Sequence, residues 1–213
     1  MRRFRLTRLR LLGVVVMLGS LSFAGVAYAA SLGMTSNKLH AWNQTLTKGS
    51  CSPAQSDAEI DQASPNTNLA NQPTETVLSK NNANSYVLIG FNPGAVPCSL
   101  PTTAGADSAV LTITVTATFR GPDTVSAYPV TSAWNASTVT WNNMPTFGST
   151  PDFTFSGAGT YTFPVTAALD AGIKSGAFNG WMLVDTTGTN NATTTIAGHG
   201  STQAPSIALS YEK

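Results

Sequence analysis

Between positions 109 and 119 the chain alternates in character residue by residue. Odd positions are Ala109, Leu111, Ile113, Val115, Ala117 and Phe119, and even positions from 112 to 118 are all threonine. A period of two marks an extended strand with one buried face and one wet face, and threonine is β-favouring on the wet side. Only Val110 breaks the pattern. Shorter runs at 74–79, 85–91, 125–130, 138–141, 160–165, 181–185, 193–197 and 206–211 follow the same logic, with a polar turn at 80–84 that predicts a hairpin. Residues 31–36 read as one further short strand, and Asp57, Glu59 and Asp61 alternate along another. Many short strands separated by Gly, Pro and Asn predict an antiparallel sandwich or barrel. One segment differs. Val165, Leu169 and Ile173 recur every four residues, which predicts a short helix over 166–174, capped by Thr166 and laid over an open end of the sheets.

Composition narrows the class. Charged residues make up 10% of the 213 residues and hydrophobic ones 42%, with a formal net charge of +1. A disordered chain would carry more charge and fewer apolar residues, and a nucleic-acid binder would carry a basic excess. Five of the eleven Lys and Arg lie in the first ten residues, followed by the apolar run 11–18 and by Ala27-Tyr28-Ala29. That order is a secretory signal peptide, 1–29, with cleavage after Ala29, and its apolar run is too short for a membrane span. Beyond it, Lys38, Lys48, Lys80, Arg120, Lys174 and Lys213 face ten acidic residues, a formal −4. The polar stretch 30–55 reads as a leader packed on or linked to a domain at 56–213. The two cysteines, Cys51 and Cys98, predict one disulfide in an exported protein.

The order of segments carries a resemblance. Asp57 to Asn68 precedes a strand and then Ser85-Tyr86-Val87-Leu88-Ile89-Gly90-Phe91. Ala106 to Leu111 and Ala127 to Asn135 follow, and Trp134 through Pro145 reads S-x-W-x-x-S-T-V-T-W-N-N-x-P when started at Ser132. Late in the chain come Val165-Thr166 and Asn179-Gly180-Trp181-Met182-Leu183-Val184. Together these resemble the DNRLRE domain family, which overlaps carbohydrate-binding module family 96, over about residues 55–212. The resemblance implies an all-β, jelly-roll-like antiparallel β-sandwich with one short helix, non-catalytic and secreted. Asn135 and Ala136 stand where an acidic residue often precedes the serine of that pattern.

Sugar binding needs flat aromatic faces with amides and hydroxyls beside them. Candidate ligand-binding residues are Trp134, Tyr128, Arg120, Asn142 and Asn143. Each has a plainer reading as well. Trp134 either meets ligand or anchors its loop, and Asn142 with Asn143 either present amides or build a turn before Pro145. Arg120 either clasps an acidic sugar or pairs with Asp123 or Asp107. Strand parity places Trp141 beside Val139 in the core, Trp181 lies in an apolar run, and Trp42 lies in the leader. Asp57, Glu59 and Asp61 share a strand face that either holds a structural calcium or is simply wet. No other cofactor is expected. His199 with Ser201 on a glycine-rich turn is the one hint of catalysis, and neither a G-x-S-x-G elbow nor zinc spacing accompanies it.

The reading is a secreted, non-enzymatic sandwich whose partner is a polysaccharide or a cell-envelope glycan. Nucleic acid is not expected as a partner, nor a membrane after signal removal. The second reading is a structural or adhesive extracellular module, and the third an unrecognised lyase or hydrolase built on His199.

Overall fold

Strand-sized periodicity, broken every few residues by turn formers, is realised as two antiparallel layers. The computed structural model describes residues 47–120, 124–187 and 191–213. The signal segment, the run 31–36, Trp42 and Asp123 lie outside them. Twelve strands, one helix and one 3-10 turn occur among the described residues. One layer runs β1 (Lys48–Cys51), β12 (Ser206–Glu212), β6 (Gly105–Phe119), β11 (Ala192–Ala197), β4 (Thr74–Ser79), with β9 (Gly159–Pro164) also pairing β6. The other runs β2 (Ala54–Asp61), β5 (Ser85–Asn92), β10 (Trp181–Asp185), β7 (Thr124–Pro129), β8 (Phe153–Ser156), with β3 (Leu69–Ala70) on β2. The predicted 80–84 turn joins β4 to β5, where Ala83 N donates to Lys80 O and Lys80 N to Asn84 Oδ1.

The alternation seen in the sequence fills the space between the layers. Leu111, Ile113 and Val115 of β6 meet Val77, Ile196, Ile207 and Leu209 from their own layer and Val87, Ile89, Val125, Trp181 and Leu183 from the other. Fully burying each such side chain contributes roughly 1.5–3 kcal/mol relative to exposure. The parity holds only as far as Val115. Ile196 pairs with Val115 but Thr195 pairs with Ala117, so Thr116 is the extra residue of a bulge. A one-residue slip exchanges the faces. Thr118 therefore sits opposite buried Thr194, and Ala117 and Phe119 face water, Phe119 at 61% exposure.

The second layer is apolar on both faces. Behind it, Ala58, Ile60, Leu88, Val130, Val139 and Met182 form a second buried cluster, with Tyr86, Trp134, Trp141 and Met144 packed against it. The cover is the segment 131–147. The expected strand at 138–141 does not form. Trp141–Asn143 is a 3-10 turn instead. Asn143 Oδ1 accepts from Thr140 N at 2.6 Å, and Asn135 Oδ1 accepts from Ser137 N at 2.9 Å. Such local side-chain bonds offer the backbone an alternative to a ladder. Trp141 consequently leaves the inter-layer core for the outer face, half-buried, with its ring centroid 5.0 Å from that of Tyr86.

Asn68 fastens this cover: its Nδ2 donates to Ala136 O and Val139 O, both at 2.7 Å. Asn68→Ala is expected to cost about 1 kcal/mol in a denaturant titration with an unchanged m value. A null result there would mean that the cover holds without it.

The helix α1 (Thr166–Ser175) forms as the four-residue spacing predicts and buries Leu169 and Ile173 against the core at the Gly105 end of β6. Its cap differs from expectation. Val165 is the cap residue, while Thr166 Oγ1 accepts from Ala109 N at 2.9 Å and Asp170 Oδ1 from Ala106 N at 3.0 Å. The threonine ties helix to strand rather than starting the helix. No helix among the described residues is long and apolar enough to cross a membrane.

Candidate functional site

At the α1 end of the sandwich the layers leave an open cleft of about 540 Å³. This volume lies within the roughly 300–1,000 Å³ typical of ligand sites. Five segments build it: Ser56 of β2, the end of β5, the turn at 93–102, the C-terminal part of α1 with 176–179, and Ala133-Trp134. The turn is folded by Ser99 N donating to Ala95 O and Leu100 N to Pro93 O. It is tied to β1 by the predicted Cys51–Cys98 disulfide, with Cα atoms 5.4 Å apart.

Trp134 is fixed from two sides. Its Nε1 donates to Asn179 O at 2.8 Å, and a Cβ on Gly90 would come within 2.9 Å of its Cζ2. Only glycine at position 90 lets the indole lie this close to the strand. Gly180, at φ +75, makes the tight passage from Asn179 into β10, where a Cβ would meet Ile89 O at 1.9 Å. The half-buried Trp134 thus lines the cleft in one orientation, with Phe91 and Phe178 on other walls.

Polar groups accompany the rings. Asn92 Oδ1 accepts from Gly94 N at 3.0 Å, which orients the exposed side chain and leaves its Nδ2 without a partner among the described residues. Asn179, Ser56 and Thr102 also line the cleft. Phe91, Asn92, Thr102, Phe178 and Asn179 were not singled out from sequence. The available signal was an asparagine after an aromatic at a turn, in Phe91-Asn92-Pro93-Gly94 and Phe178-Asn179-Gly180.

The other candidates lie elsewhere. Tyr128, on β7, is half-buried with its ring 5.7 Å from that of Phe147. Arg120 follows Phe119, left-handed at φ 66, with its guanidinium 5.5 Å from the Phe119 ring centre. Since β6 begins at Gly105 beside α1 and an extended chain rises about 3.3 Å per residue, Arg120 stands at the opposite end of the strand, at most roughly 50 Å away along it. Asp107 is engaged by Lys48 at 3.6 Å, not by Arg120. Both asparagine amides serve the cover: Asn142 Nδ2 donates to Asn66 Oδ1 and Asn143 Nδ2 to Thr138 O. Trp181 is buried in the core and donates through Nε1 to Asp152 Oδ2 at 2.8 Å. His199 Nδ1 is 2.8 Å from Gln55 Oε1, and Ser201 Oγ accepts from Gln203 N, so neither is directed at the other.

The acidic strand face is not a wet one. Asp57 pairs with Ile89 and Glu59 with Val87, both core residues, so these carboxyl groups point between the layers. Glu75 of β4 joins them, and Asp57 and Glu75 are both 0% exposed. Asp57 Oδ2 accepts from Gln55 Nε2 at 2.7 Å and from His199 N at 2.5 Å, and Glu59 Oε2 accepts from Thr76 N at 2.7 Å. Asp57 Oδ1 and both Glu75 oxygens meet no ordinary donor among the described residues, but the two carboxyl groups lie within hydrogen-bond reach of each other, so a proton on Glu75 serves both. Burial disfavours the charged form. It raises Asp57 and Glu59 above the ordinary carboxylate range, and it pushes Glu75 up to about 10, with Asp57 and Glu59 adding to the effect. Glu75 is therefore neutral at physiological pH. Asp61 turns to Ala63 N and Ser85 Oγ. No group of three His, Cys, Asp or Glu side chains among the described residues is placed to hold a metal ion.

An aromatic ring held rigidly beside amide and hydroxyl side chains, on a layered β scaffold, is the kind of surface a sugar ring needs. No curated protein matches the chain. The model of carbohydrate-binding module family 96 matches residues 49–211, from β1 to β12, taking in the cleft, the cover and the disulfide. The chain belongs to carbohydrate-binding module family 96.

Proposed function

We propose that this is a secreted, non-catalytic module that binds polysaccharide, free or in the cell envelope, through the cleft beside Trp134. The observation that carries the reading is the pinning of Trp134 by Gly90 and Asn179 in the same cleft as Asn92, whose Nδ2 has no partner among the described residues. A ring positioned before the ligand arrives loses little freedom on binding, and an amide donor beside it reads hydroxyl orientation. The separation of His199 from Ser201, each engaged by another group, supports a role without catalysis. The signal segment and the disulfide support an extracellular location.

Retention of the purified protein on insoluble glycans, and shifts in affinity electrophoresis with soluble ones, test the reading. Trp134→Ala is expected to weaken retention by about fivefold or more, taking the 1–3 kcal/mol of a base stacked on an aromatic ring as an approximate measure for a sugar ring. Trp134 also packs on the second cluster. Asn92→Ala, at an exposed position, serves as the variant that stays folded, and about a fivefold loss is expected for one hydrogen bond. Self-association without retention on any glycan would favour the adhesive module instead.

A further inference from the structure

The segment 131–147 covers only part of the outer face of the second layer. It seals Leu88 and Met182, while Tyr86, Val184 and Tyr128 remain half-buried. Register fixes the side on which the rings stand. Tyr86 pairs with Ile60, Tyr128 pairs with Met182, and Val130 bridges to Phe147, and those three partners belong to the outer cluster. Two aromatic pairs result. Tyr86 meets Trp141 with ring centroids 5.0 Å apart and planes at 44°, and Tyr128 meets Phe147 at 5.7 Å and 56°. Both pairs are tilted, so neither ring lies flat over its partner's face. Leu88, Met182 and Tyr128 form one row across β5, β10 and β7, and Tyr86 lies two residues from Leu88. At about 4.8 Å per strand and 3.3 Å per residue, the backbones of Tyr86 and Tyr128 are roughly 12 Å apart, with Val184 on the strand between them. Phe147 is 38% exposed. Beside Trp141, Asn142 Nδ2 donates to Asn66 Oδ1 at 2.8 Å, and both side chains are exposed. An amide has two protons and two lone pairs, so this bond leaves most of their capacity open to a ligand. Exposed Thr154, opposite Ser126 on β8, adds a hydroxyl on the β7 side.

We propose that this face is a second carbohydrate-binding site, separate from the cleft beside Trp134. A glycan chain lies across β5, β10 and β7, with one sugar on the Tyr86–Trp141 pair and another on the Tyr128–Phe147 pair. The inference rests on the family's recognition of carbohydrate and not on the cleft. Exposed apolar surface rimmed by polar groups marks a place of interaction. Here the apolar part is aromatic, which suits the C–H face of a sugar ring, and the rim is amide and hydroxyl, which suits its edge. The spacing of the pairs matches a short stretch of a linear chain. Two sites on one module engage the same polymer, so retention on it exceeds what either site gives alone.

The test is a titration of the full chain with soluble oligosaccharides of alginate, xylan, mixed-linkage glucan and galactomannan, followed through the tryptophan indole N–H resonances. Single Trp→Phe variants assign those resonances, and the wild-type protein then reports each site without any change at it. With at least one probe, Trp141 and Trp134 are both expected to shift while buried Trp181 stays in place. Phe147→Ala, at an exposed position outside the cleft, should weaken the Trp141 response about fivefold or more and leave that of Trp134 unchanged. Asn92→Ala, in the cleft, should do the reverse. A Trp141 resonance that stays put while Trp134 shifts overturns the second site and leaves the cleft reading intact. Responses of the two indoles that weaken together in both variants also overturn it, because one site then accounts for both. A shift at Trp141 alone, lost in Phe147→Ala, supports the second site and removes the cleft. Silence at both indoles with every probe overturns both.

Discussion

At pH 8 the Glu75→Gln protein is expected to be more stable than wild type by about 5 kcal/mol, with a margin that widens until pH passes the folded pKa. The sign follows from the site. Glu75 is fully buried, it meets no donor but shares a hydrogen bond with the Asp57 carboxyl, and burial beside Asp57 and Glu59 pushes its pKa up to about 10 from an ordinary 4.5. A group whose folded pKa lies above its unfolded one lends full stability below the unfolded value. That stability then drains away as pH climbs towards the folded pKa, because the unfolded chain releases a proton that the fold must keep. The limiting slope is about 1.4 kcal/mol per pH unit over that interval. The elevations of Asp57 and Glu59 act in the same direction and remain in the variant. Glutamine has nearly the same shape and nothing to ionise, so the two proteins should coincide near pH 4 and diverge above it. Denaturant titrations across that range read the difference directly. A margin that does not change with pH would show that the proton is not where the geometry puts it.

Breaking the Cys51–Cys98 bridge, by reduction or as a Cys51→Ser, Cys98→Ser pair, is expected to cost about 4 kcal/mol on the chain-entropy account. The bridge spans 47 residues, including β2 to β5 and half of one cleft wall. For a domain of this size the loss corresponds to a fall in melting temperature of roughly 10 °C. Calorimetry with and without reductant measures it. The turn at 93–102 keeps its internal bonds, so the fold is expected to persist at room temperature while binding weakens. An unchanged melting temperature after complete reduction would mean that β1 and the turn are held by their ladder and packing alone.

How far the chain could be read in advance depended on whether a residue's surroundings were implied by its neighbours. Strand β6 was legible because one face is wet, so its threonines marked the period. The bulge at Thr116 was not, since no glycine or proline announces it; only the partner strand supplies the slip. Strands β5 and β10 were visible as apolar runs, but Leu88 and Met182 are buried on the opposite face from Ile89 and Leu183. A run buried on both sides identifies a strand without saying what covers it. The cover itself, 131–147, was recognisable as a motif while its role was not, because its asparagines fold the segment locally before any sheet could claim it.

Asp57 and Glu59 were correctly seen to share a face. Carboxylates read as wet, however, and their inward direction rests on pairing with Val87 and Ile89. The cleft was the least legible feature. It joins positions 56, 90–94, 100, 102, 133–134, 172–173 and 176–179, and of these only Trp134 stood out from the sequence as a candidate. Tyr128 and Arg120 are chemically apt for sugar but stand on other parts of the surface.

The double-sided burial of β5 and β10 divides the packing into two tasks. The strands pack against one another between the layers, while Leu88, Met182 and Ile60 form an apolar stripe on the outside that residues 131–147 cover. The piece that seals this stripe also delivers Trp134. The inter-layer core and the outer cover are thus packed by different stretches of chain, and the stretch that hides the apolar stripe is the one that fixes the place of Trp134.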